Sequence, residues 1–305
     1  PDDPKTIYCG GDTVGLIVSH DAGATWELVD SYNELGLFTE EIKWPTWTDH
    51  IVKTTGTEYG NSNGISTIAI SGGKVFVGAS VVGVTNVYMA DVGKDNWTPV
   101  HADLPTGLYP SRINLDADGN LLISYVPTLT FGNGGGGAYR YDVKAGTLTD
   151  ISPKAETPFG AVVSDADNAD TLVATTCGLW NAQLWAKDDW DNDMVSWGDV
   201  LFRSTDGGAT WEQLSPGATK YWDGPLQADY LQDGGVSWIR NKAIHWSGTV
   251  VLDPEDDNRI LITSGNGVFA CDNVWDELPS LYFRATGIEE VVALDFVSVP
   301  GGNIY

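Results

Sequence analysis

The chain has 305 residues, is 42% hydrophobic and carries a formal charge of −26 at neutral pH, with a sequence pI of about 4.1. A chain of this length and composition buries a large core and is not intrinsically disordered. The excess of acidic groups repels nucleic acids and anionic membrane surfaces, so it argues against both as partners and favours a neutral ligand.

Short apolar runs rich in Val, Ile, Tyr and Phe recur along the chain together with 36 glycines and 13 tryptophans, a composition that favours strands over helices. The pattern is strand, acidic turn, strand, variable loop, strand, Asp turn, strand. The second strands of the unit are predicted at 6–9, 75–78, 121–125, 172–175 and 260–263, and the third strands at 15–18, 86–89, 138–141, 200–203 and 267–270.

Each predicted third strand leads to an aspartate, namely Asp21, Asp91, Asp142, Asp206 and Asp272. A repeat of four short strands, about 60 residues long, is typical of a β-propeller, in which each blade buries its faces against its neighbours. The sequence therefore predicts an all-β propeller of four-stranded antiparallel blades, about five of them in this chain. The chain starts at a second strand and ends with a first strand at 291–299 and the start of a second strand at 303–305. Either these ends pair to close a small ring or the chain is an arc of a larger propeller.

Two nearly identical strings mark the turns after third strands: Ser-His-Asp-Ala-Gly-Ala-Thr-Trp at 19–26 and Ser-Thr-Asp-Gly-Gly-Ala-Thr-Trp at 204–211. Short polar side chains bond to nearby backbone, Gly supplies a positive φ, and Trp fills the gap between strands, as in an Asp box. We expect Asp21 and Asp206 in turns between third and fourth strands, with a structural role. The residues of this structural set are Ser19, Asp21, Gly23, Thr25, Trp26, Ser204, Asp206, Gly208, Thr210 and Trp211.

Cysteine and acidic spacings indicate neither a metal site nor a cofactor. Cys9, Cys177 and Cys271 are odd in number and far apart, so we expect buried thiols without a disulfide. The alternating acids of 189–193 lack the Gly and Glu that a calcium-binding EF-hand loop requires, which favours a solvated acidic loop. No window approaches the ~18 consecutive apolar residues of a membrane span, and the first residues do not form a signal peptide.

Longer strings resemble one enzyme family. The run His-Trp-Ser-Gly-Thr-Val-Val-Leu-Asp-Pro at 245–254, continued at 258–270, is similar to a blade of glycoside hydrolase family 74. The most specific match is 287–300, Gly-Ile-Glu-Glu-Val-Val-Ala-Leu-Asp-Phe-Val-Ser-Val-Pro. The likeness spans most of the chain, although 28–60 and 181–199 depart from it.

This resemblance implies a xyloglucanase-like glycoside hydrolase that acts on the β-1,4-glucan backbone of a plant polysaccharide and inverts the anomeric configuration. Family members are secreted and place the substrate cleft between two seven-bladed propellers. By resemblance, residues 1–305 are one propeller domain, the greater part of the first propeller, and the second propeller lies outside this chain. The implied partner is plant cell-wall xyloglucan, and the implied location is extracellular.

The family's two catalytic aspartates lie in an Arg-Thr-Asp-x-Gly-Gly-Ala-Tyr segment and in a Gly-Asp-x-Gly-Gly-Phe segment, and neither segment is present here. The string Gly-Gly-Asp-Thr-Val-Gly at 10–15 is the nearest look-alike, which makes Asp12 the catalytic candidate in this chain. The alternative is an ordinary loop residue, because the same segment aligns better with a later blade in which that position has no catalytic role. The string at 134–139 has Gly where the aspartate belongs and is rejected.

Aromatic residues cluster in two long segments where sugar rings could stack. The substrate-binding candidates are Trp180, Trp185, Trp190, Tyr221, Trp222 and Trp246. The alternative for each is packing between blades, but loops this long, broken by Gly and Asp, rarely bury every Trp. We therefore expect at least two of them to line a sugar-binding groove.

Two alternatives stay open. A propeller of this kind can be a non-catalytic module that binds a glycan or a protein through the same face. A sialidase-like enzyme is the second alternative, and it would need an arginine triad and a Phe/Tyr-Arg-Ile-Pro signature, which Pro-Ser-Arg-Ile-Asn at 110–114 matches only faintly.

Overall fold

The computed structural model describes residues 3–11, 15–37, 41–43, 51–53, 64–127, 135–178, 183–187, 193–196, 199–214, 247–265, 267–276 and 284–289. This part of the chain is almost entirely β, with one short helix, α1 (Asp30–Asn33). None of its helices is long and apolar enough to cross a lipid bilayer.

The strands of the described residues form five antiparallel sheets that follow one another along the chain. Sheet 1 contains β1 (Ile7–Gly11), β2 (Gly15–Ser19) and β3 (Glu27–Leu28), and β4 (Glu41–Lys43) pairs with β5 (Ile51–Lys53) in a separate hairpin. Sheet 2 contains β6 (Ile65–Ser71), β7 (Lys74–Ala79), β8 (Val87–Asp91) and β9 (Thr98–Pro99). Sheet 3 contains β10 (Tyr109–Leu115), β11 (Leu121–Val126), β12 (Gly137–Asp142) and β13 (Thr147–Asp150).

Sheet 4 contains β14 (Phe159–Ser164), β15 (Leu172–Thr176), β18 (Leu201–Ser204) and β19 (Glu212–Leu214). The hairpin of β16 (Gln183–Lys187) and β17 (Asp193–Ser196) is inserted between its second and third strands. Sheet 5 contains β20 (Thr249–Asp253), β21 (Asp256–Ser264), β22 (Gly267–Cys271) and β23 (Arg284–Glu289). Each sheet is a meander, because every strand pairs with the next one of its repeat.

The sheets stack through their second strands, whose residues alternate between two interfaces. Val75 and Val77 pack in the cluster shared with sheet 1, whereas Phe76 between them packs in the cluster shared with sheet 3. Leu122 of β11 likewise packs toward sheet 4 while its neighbours Leu121 and Ile123 pack toward sheet 2. A strand covered on both faces requires a continuous apolar run, which explains the nearly continuous burial of β7, β11 and β15.

The first strands of successive sheets lie beside one another, in the order β6, β10, β14 and β20. Three of them carry a register shift at an equivalent place, at Ser66, Ser111 and Gly160. Polar side chains bond across the junctions: the Ser111 hydroxyl donates to the Phe159 carbonyl at 2.8 Å, and the Asn114 amide donates to the Val162 carbonyl at 2.8 Å. Four-stranded sheets stacked face to face around their first strands are the blades of a β-propeller.

The propeller has two distinct ends. The connections from first to second strands and from third to fourth strands, including both Asp boxes, lie at what we call the Asp-box end. The connections from second to third strands and from one sheet to the next lie at the opposite end, the loop end. This division follows from antiparallel pairing, because consecutive turns of a meander alternate between the two ends of the sheet.

The five predicted repeats correspond to the five sheets, and sheet 1 begins with a second strand as expected. The strand predicted at 291–299 lies outside the described residues. One expectation was wrong: Cys9 is exposed, whereas Cys177 is half-buried and Cys271 is buried, and all three are free thiols. Cys9 and Ile7 lie on the face of β1 turned away from sheet 2, which no described sheet covers.

Candidate functional site

The two Asp boxes are closed turns in which the carboxylate is fully engaged. Asp206 accepts hydrogen bonds from the Thr210 amide at 2.8 Å, the Thr210 hydroxyl at 2.6 Å and the Ser204 hydroxyl at 2.8 Å. Asp21 makes the same three bonds with Thr25 and Ser19. The bond from the Thr25 hydroxyl, followed by that from its amide, lowers the pKa of Asp21 from 3.8 to about 2. Both carboxylates therefore bind the backbone amides and hydroxyls of their own turns.

The tryptophans of the two boxes have different surroundings. Trp211 packs in the cluster between sheets 3 and 4, and its indole donates to the Ile151 carbonyl of sheet 3 at 2.9 Å. Trp26 is 44% exposed, and its indole donates to Gly23 of its own turn at 3.1 Å. The difference follows from position, since Trp211 has a preceding sheet to dock on and Trp26 has none among the described residues.

Every sequence-predicted active-site or sugar-binding residue lies, in sequence, between two described strands of the sheets. Asp12 lies between β1 and β2, Trp180, Trp185 and Trp190 lie between β15 and β18, and Tyr221, Trp222 and Trp246 lie between β19 and β20. The described strands on either side of these connections end or begin at the loop end. Of the candidates, only Trp185 falls in a described element, the backbone of β16, and the others lie outside the described residues.

Asp199, a buried carboxylate that was not predicted from the sequence, connects several chain segments at the loop end. Asp199 is completely buried and accepts hydrogen bonds from the Thr176 hydroxyl at 2.9 Å, the Gly178 amide at 3.1 Å and the Ser247 amide at 2.9 Å. The Thr176 hydroxyl in turn accepts from the Val200 amide at 2.8 Å. Asp199 therefore joins the end of β15, the start of β18 and the approach to sheet 5.

The backbone around Asp199 is close-packed. A Cβ atom at Gly160 would collide with the Ser247 carbonyl oxygen, so only glycine lets the two sheets approach this closely here. Burial first, and then the negative charge of Asp199, raise the pKa of the Cys177 thiol, while the charge of Arg112 lowers it. The Cys177 amide donates to the Pro158 carbonyl at 3.2 Å. Cys177 is consequently held as a neutral thiol near neutral pH.

No part of the sequence pattern marks Asp199, since its partners at Gly178 and Ser247 lie 21 and 48 residues away. The only local signal is an acidic residue directly before the apolar third strand, whereas the other acids of the repeat follow that strand. Asn86 likewise connects separate chain segments beside sheet 2, because its side-chain amide donates to the Val81 carbonyl at 3.1 Å and to the Leu108 carbonyl at 2.7 Å.

Two described arginines at the Asp-box end, Arg140 and Arg203, bond to a neighbouring sheet. Arg140 pairs with buried Asp116 at 2.6 Å and donates to the Ala169 carbonyl of sheet 4 at 2.6 Å. Arg203 pairs with Glu212 at 2.8 Å and donates to the Val274 carbonyl of sheet 5 at 2.6 Å. These two side chains fasten neighbouring blades, so neither is available to grip a substrate carboxylate as a sialidase triad requires.

A shallow cavity of about 580 Å³ also lies at the Asp-box end, between sheets 4 and 5. Asp165, Asp167, Arg203, Glu212 and Trp275 are among the side chains that line it. The Arg203 guanidinium carbon lies 6.0 Å from the centroid of the Trp275 ring and covers one face of the indole. The cavity therefore lies at the opposite end of the sheets from the described residues Gly178, Asp199 and Ser247.

Comparison with known protein families and curated sequences agrees with this architecture. The family described as BNR/Asp-box repeat matches residues 202–213, which contain the second Asp box. A xyloglucanase from Acetivibrio thermocellus is 27% identical over 99% of this chain, and an oligoxyloglucan-reducing end-specific xyloglucanase from Emericella nidulans is 27% identical over 97%. The chain spans 36% and 40% of the lengths of these two relatives.

Solved structures show the same likeness. A family 74 glycoside hydrolase from Niastella koreensis aligns with a TM-score of 0.71 and 26% identity, covering 100% of this chain and 40% of the other. A family 74 xyloglucanase from Xanthomonas campestris aligns with a TM-score of 0.66 at 24% identity, which supports the fold alone. The predicted β-propeller fold and the predicted resemblance to family 74 are thus confirmed.

Proposed function

We propose that this chain, a homologue of the family 74 xyloglucanases over nearly its whole length, is the substrate-binding propeller of an inverting glycoside hydrolase that acts on a xyloglucan-type β-1,4-glucan. The observation that carries the proposal is the homology at 27% identity over 99% of the chain. It is supported by the described strands that flank the aromatic segments in the sequence, because these strands end or begin at the loop end.

The proposed chemistry needs two carboxyl groups about 6.5–9.5 Å apart, one protonated as the general acid and the other activating water. Asp12 is the proposed member of that pair in this chain. Asp199 is not a member, because it is buried and its oxygens accept bonds from two amides and a hydroxyl. The second carboxyl group is proposed to come from a second propeller of a longer protein, of which residues 1–305 are one propeller domain.

The proposed binding mode is stacking of pyranose rings on the tryptophan and tyrosine faces of 179–198 and 215–246. Stacking of the apolar C–H face of a sugar on an aromatic ring removes the surface of both from water. Polar side chains near the ring can then form hydrogen bonds with the sugar hydroxyls. The net charge of −26 is compatible with a neutral polysaccharide. Because the relatives are xyloglucanases, the proposed partner is plant cell-wall xyloglucan and the proposed location is extracellular.

The first test measures binding of a xyloglucan oligosaccharide by calorimetry and turnover by reducing-sugar release. We expect Trp222→Ala and Trp246→Ala each to weaken binding about tenfold, since loss of one aromatic hot spot commonly removes at least that much affinity. Trp26→Ala is the matched control, because Trp26 is an exposed tryptophan at the Asp-box end. Equal affinity of all three variants and the wild type would contradict the proposed groove.

Turnover separates the proposed enzyme from its alternative, a non-catalytic glycan- or protein-binding propeller. We expect this chain alone to bind but to release little reducing sugar, and the longer protein to hydrolyse the polymer. Within the longer protein, Asp12→Asn should lower kcat by at least about a hundredfold with little change in substrate affinity, as loss of general acid–base catalysis does. Binding without turnover in the longer protein would favour the non-catalytic alternative.

A further inference from the structure

One face of sheet 1 is apolar and open to solvent. Ile7 and Cys9 lie on the same face of β1, because side chains alternate along a strand. Ile17 is paired with Cys9, and Leu28 is paired with Ile17, so both belong to that face as well. Ile7 is 38% exposed, Leu28 is 55% exposed, and Trp26 of the adjoining Asp box is 44% exposed. We call these five residues the open face.

Sheet 4 presents the same face, and its residues can be matched to those of sheet 1. Both sheets carry an Asp box, in which Ser19 corresponds to Ser204. Ile7 pairs with Ser19 and Leu172 pairs with Ser204, so Ile7 and Leu172 occupy the same position. The remaining matches, from the same strand pairing and the same box, are Cys9 with Ala174, Ile17 with Phe202, and Trp26 with Trp211.

In sheet 4 this face is covered by sheet 3. Leu172 and Ala174 are completely buried, and Phe202 is 5% exposed. They pack in one cluster with Ile151, which follows the fourth strand of sheet 3. Trp211 packs against the same cluster and donates its indole N–H to the Ile151 carbonyl at 2.9 Å. A face with these residues therefore receives a neighbouring sheet when one is present.

The box glycines show the same difference between the two sheets. A Cβ atom at Gly208 would lie 2.8 Å from the Ile151 Cβ, because sheet 3 packs tightly against this turn. Gly23 has the same positive φ, 91° against 89°, but a Cβ atom there would meet only Trp26 of its own turn and Ile7 of sheet 1 within 4 Å. The turn of sheet 1 thus has the shape of a docked turn, and no described sheet lies in front of it.

We propose that the open face is an interaction surface for a further four-stranded antiparallel β-sheet, which a longer form of this polypeptide supplies. The incoming sheet presents its apolar second strand to the open face, as Leu122 of β11 does to sheet 4. The backbone carbonyl after its fourth strand accepts from the Trp26 indole, which now donates to the Gly23 carbonyl at 3.1 Å. Trp26 is the anchor of this interface, since a tryptophan that fills a pocket often dominates binding.

Charge argues against a second copy of this chain as the occupant. Each copy carries a formal charge of −26, so two copies repel one another, and five apolar side chains have to overcome that repulsion. A sheet of the same polypeptide is held nearby by the chain itself, which raises its effective concentration. Two xyloglucanase relatives have the length to contain further sheets, since this chain spans 36% and 40% of them.

Cys9 reports whether the open face is covered. The first experiment measures the rate at which N-ethylmaleimide labels Cys9 in the folded 305-residue chain and in the longer protein, with the labelled site identified by peptide mass spectrometry. We expect labelling to be at least about a hundredfold slower in the longer protein, because a thiol under a docked sheet reacts only after local opening. Lys144→Cys is the reference, because Lys144 is exposed in the β12–β13 turn of sheet 3 and the introduced thiol should react equally fast in both proteins.

Substitutions of Trp26 test the anchor. In the longer protein we expect Trp26→Ala to accelerate the labelling of Cys9 about tenfold, because the docked sheet loses its main contact. Trp26→Phe should accelerate it less, since a ring remains without the N–H donor. In the 305-residue chain neither variant should change the rate. Leu115→Ala is the matched control, because Leu115 is another exposed apolar side chain, 39% exposed, and it lies in sheet 3 away from the open face.

Three results would overturn the proposal. The first is equal labelling of Cys9 in the two proteins, and the second is slow labelling in the longer protein that neither Trp26 variant accelerates. The third comes from sedimentation velocity of the 305-residue chain, for which we expect a monomer, because a dimer that protects Cys9 would assign the open face to a second copy. None of these measurements involves a glycan, so a failure of the proposed function leaves their outcome unaffected.

Discussion

At the scale of single residues, some acidic side chains of this chain stabilise the fold through hydrogen bonds, and these are distinct from the proposed catalytic candidate. Asp21 and Asp206 belong to acidic motifs, yet each accepts three hydrogen bonds from its own turn. Asp199 accepts hydrogen bonds from donors at three separate places in the chain. Bonds of this kind favour the charged carboxylate and stabilise the backbone that donates them.

The lowered pKa of Asp21 predicts an acid-dependent loss of stability. A carboxyl group with a pKa of about 2 in the folded chain and 3.8 as its ordinary value stabilises the fold above pH 4, and this contribution disappears as the pH falls toward 2. The melting temperatures of the wild type and Asp21→Asn should therefore differ at pH 6 and converge as the pH is lowered from 4 to about 2. Asp103→Asn is the control, because that side chain is 85% exposed. A difference independent of pH would show that the turn does not depend on the charge.

At the scale of elements, the apolar runs and the Asp turns made most of the strands predictable. The predicted second strand at 121–125 and third strand at 138–141 are β11 and β12 almost residue for residue. The hairpins β4–β5 and β16–β17 and the four-residue helix α1 were not predicted, since elements this short carry too few periods to be recognised. The role of Asp199 was hidden because it depends on Ser247, in another blade, rather than on a local pattern.

The two Asp boxes provide a matched pair for testing what the box tryptophan contributes. Trp211→Ala removes contacts with sheet 3 and the bond to the Ile151 carbonyl, so we expect a loss of about 2–3 kcal/mol in the free energy of unfolding, below the range for fully buried tryptophans. Trp26→Ala removes a half-exposed ring bonded only to its own turn and should cost less than about 1 kcal/mol. Denaturant unfolding of the two variants measures both values, and a larger loss for Trp26 would mean that an unseen partner covers it.

At the scale of the whole molecule, the contacts that the structure describes at the Asp-box end stabilise the fold. The Asp-box turns and the arginines that bond to neighbouring sheets lie at that end. The family resemblance made the propeller fold predictable. The junction of sheets 4 and 5 was not predictable, because it depends on a close approach between Gly160 and Ser247.

Adding one methyl group at Gly160 tests how tightly sheets 4 and 5 pack at this junction. Gly160→Ala forces the Ser247 carbonyl to move, so we expect a loss of about 1–3 kcal/mol in the free energy of unfolding, as overpacking usually causes. Gly107→Ala, where an added Cβ has no atom within 4 Å, should change it by no more than about 0.5 kcal/mol. Thermal or urea unfolding of the two variants provides the comparison, and equal stabilities would show that the junction adapts freely.

The alternation of Val75, Phe76 and Val77 between two interfaces has a consequence for cooperativity. Each described sheet shares apolar clusters only with its sequence neighbours, so the array behaves as a one-dimensional chain of coupled units. In such a chain the effect of a substitution decreases with each sheet between it and the site observed. Alternate residues of a second strand face opposite neighbours, so the residue chosen decides which neighbour is destabilised. A substitution at Phe76 should destabilise the packing with sheet 3 first, whereas one at Val77, the next residue, should destabilise the packing with sheet 1 first.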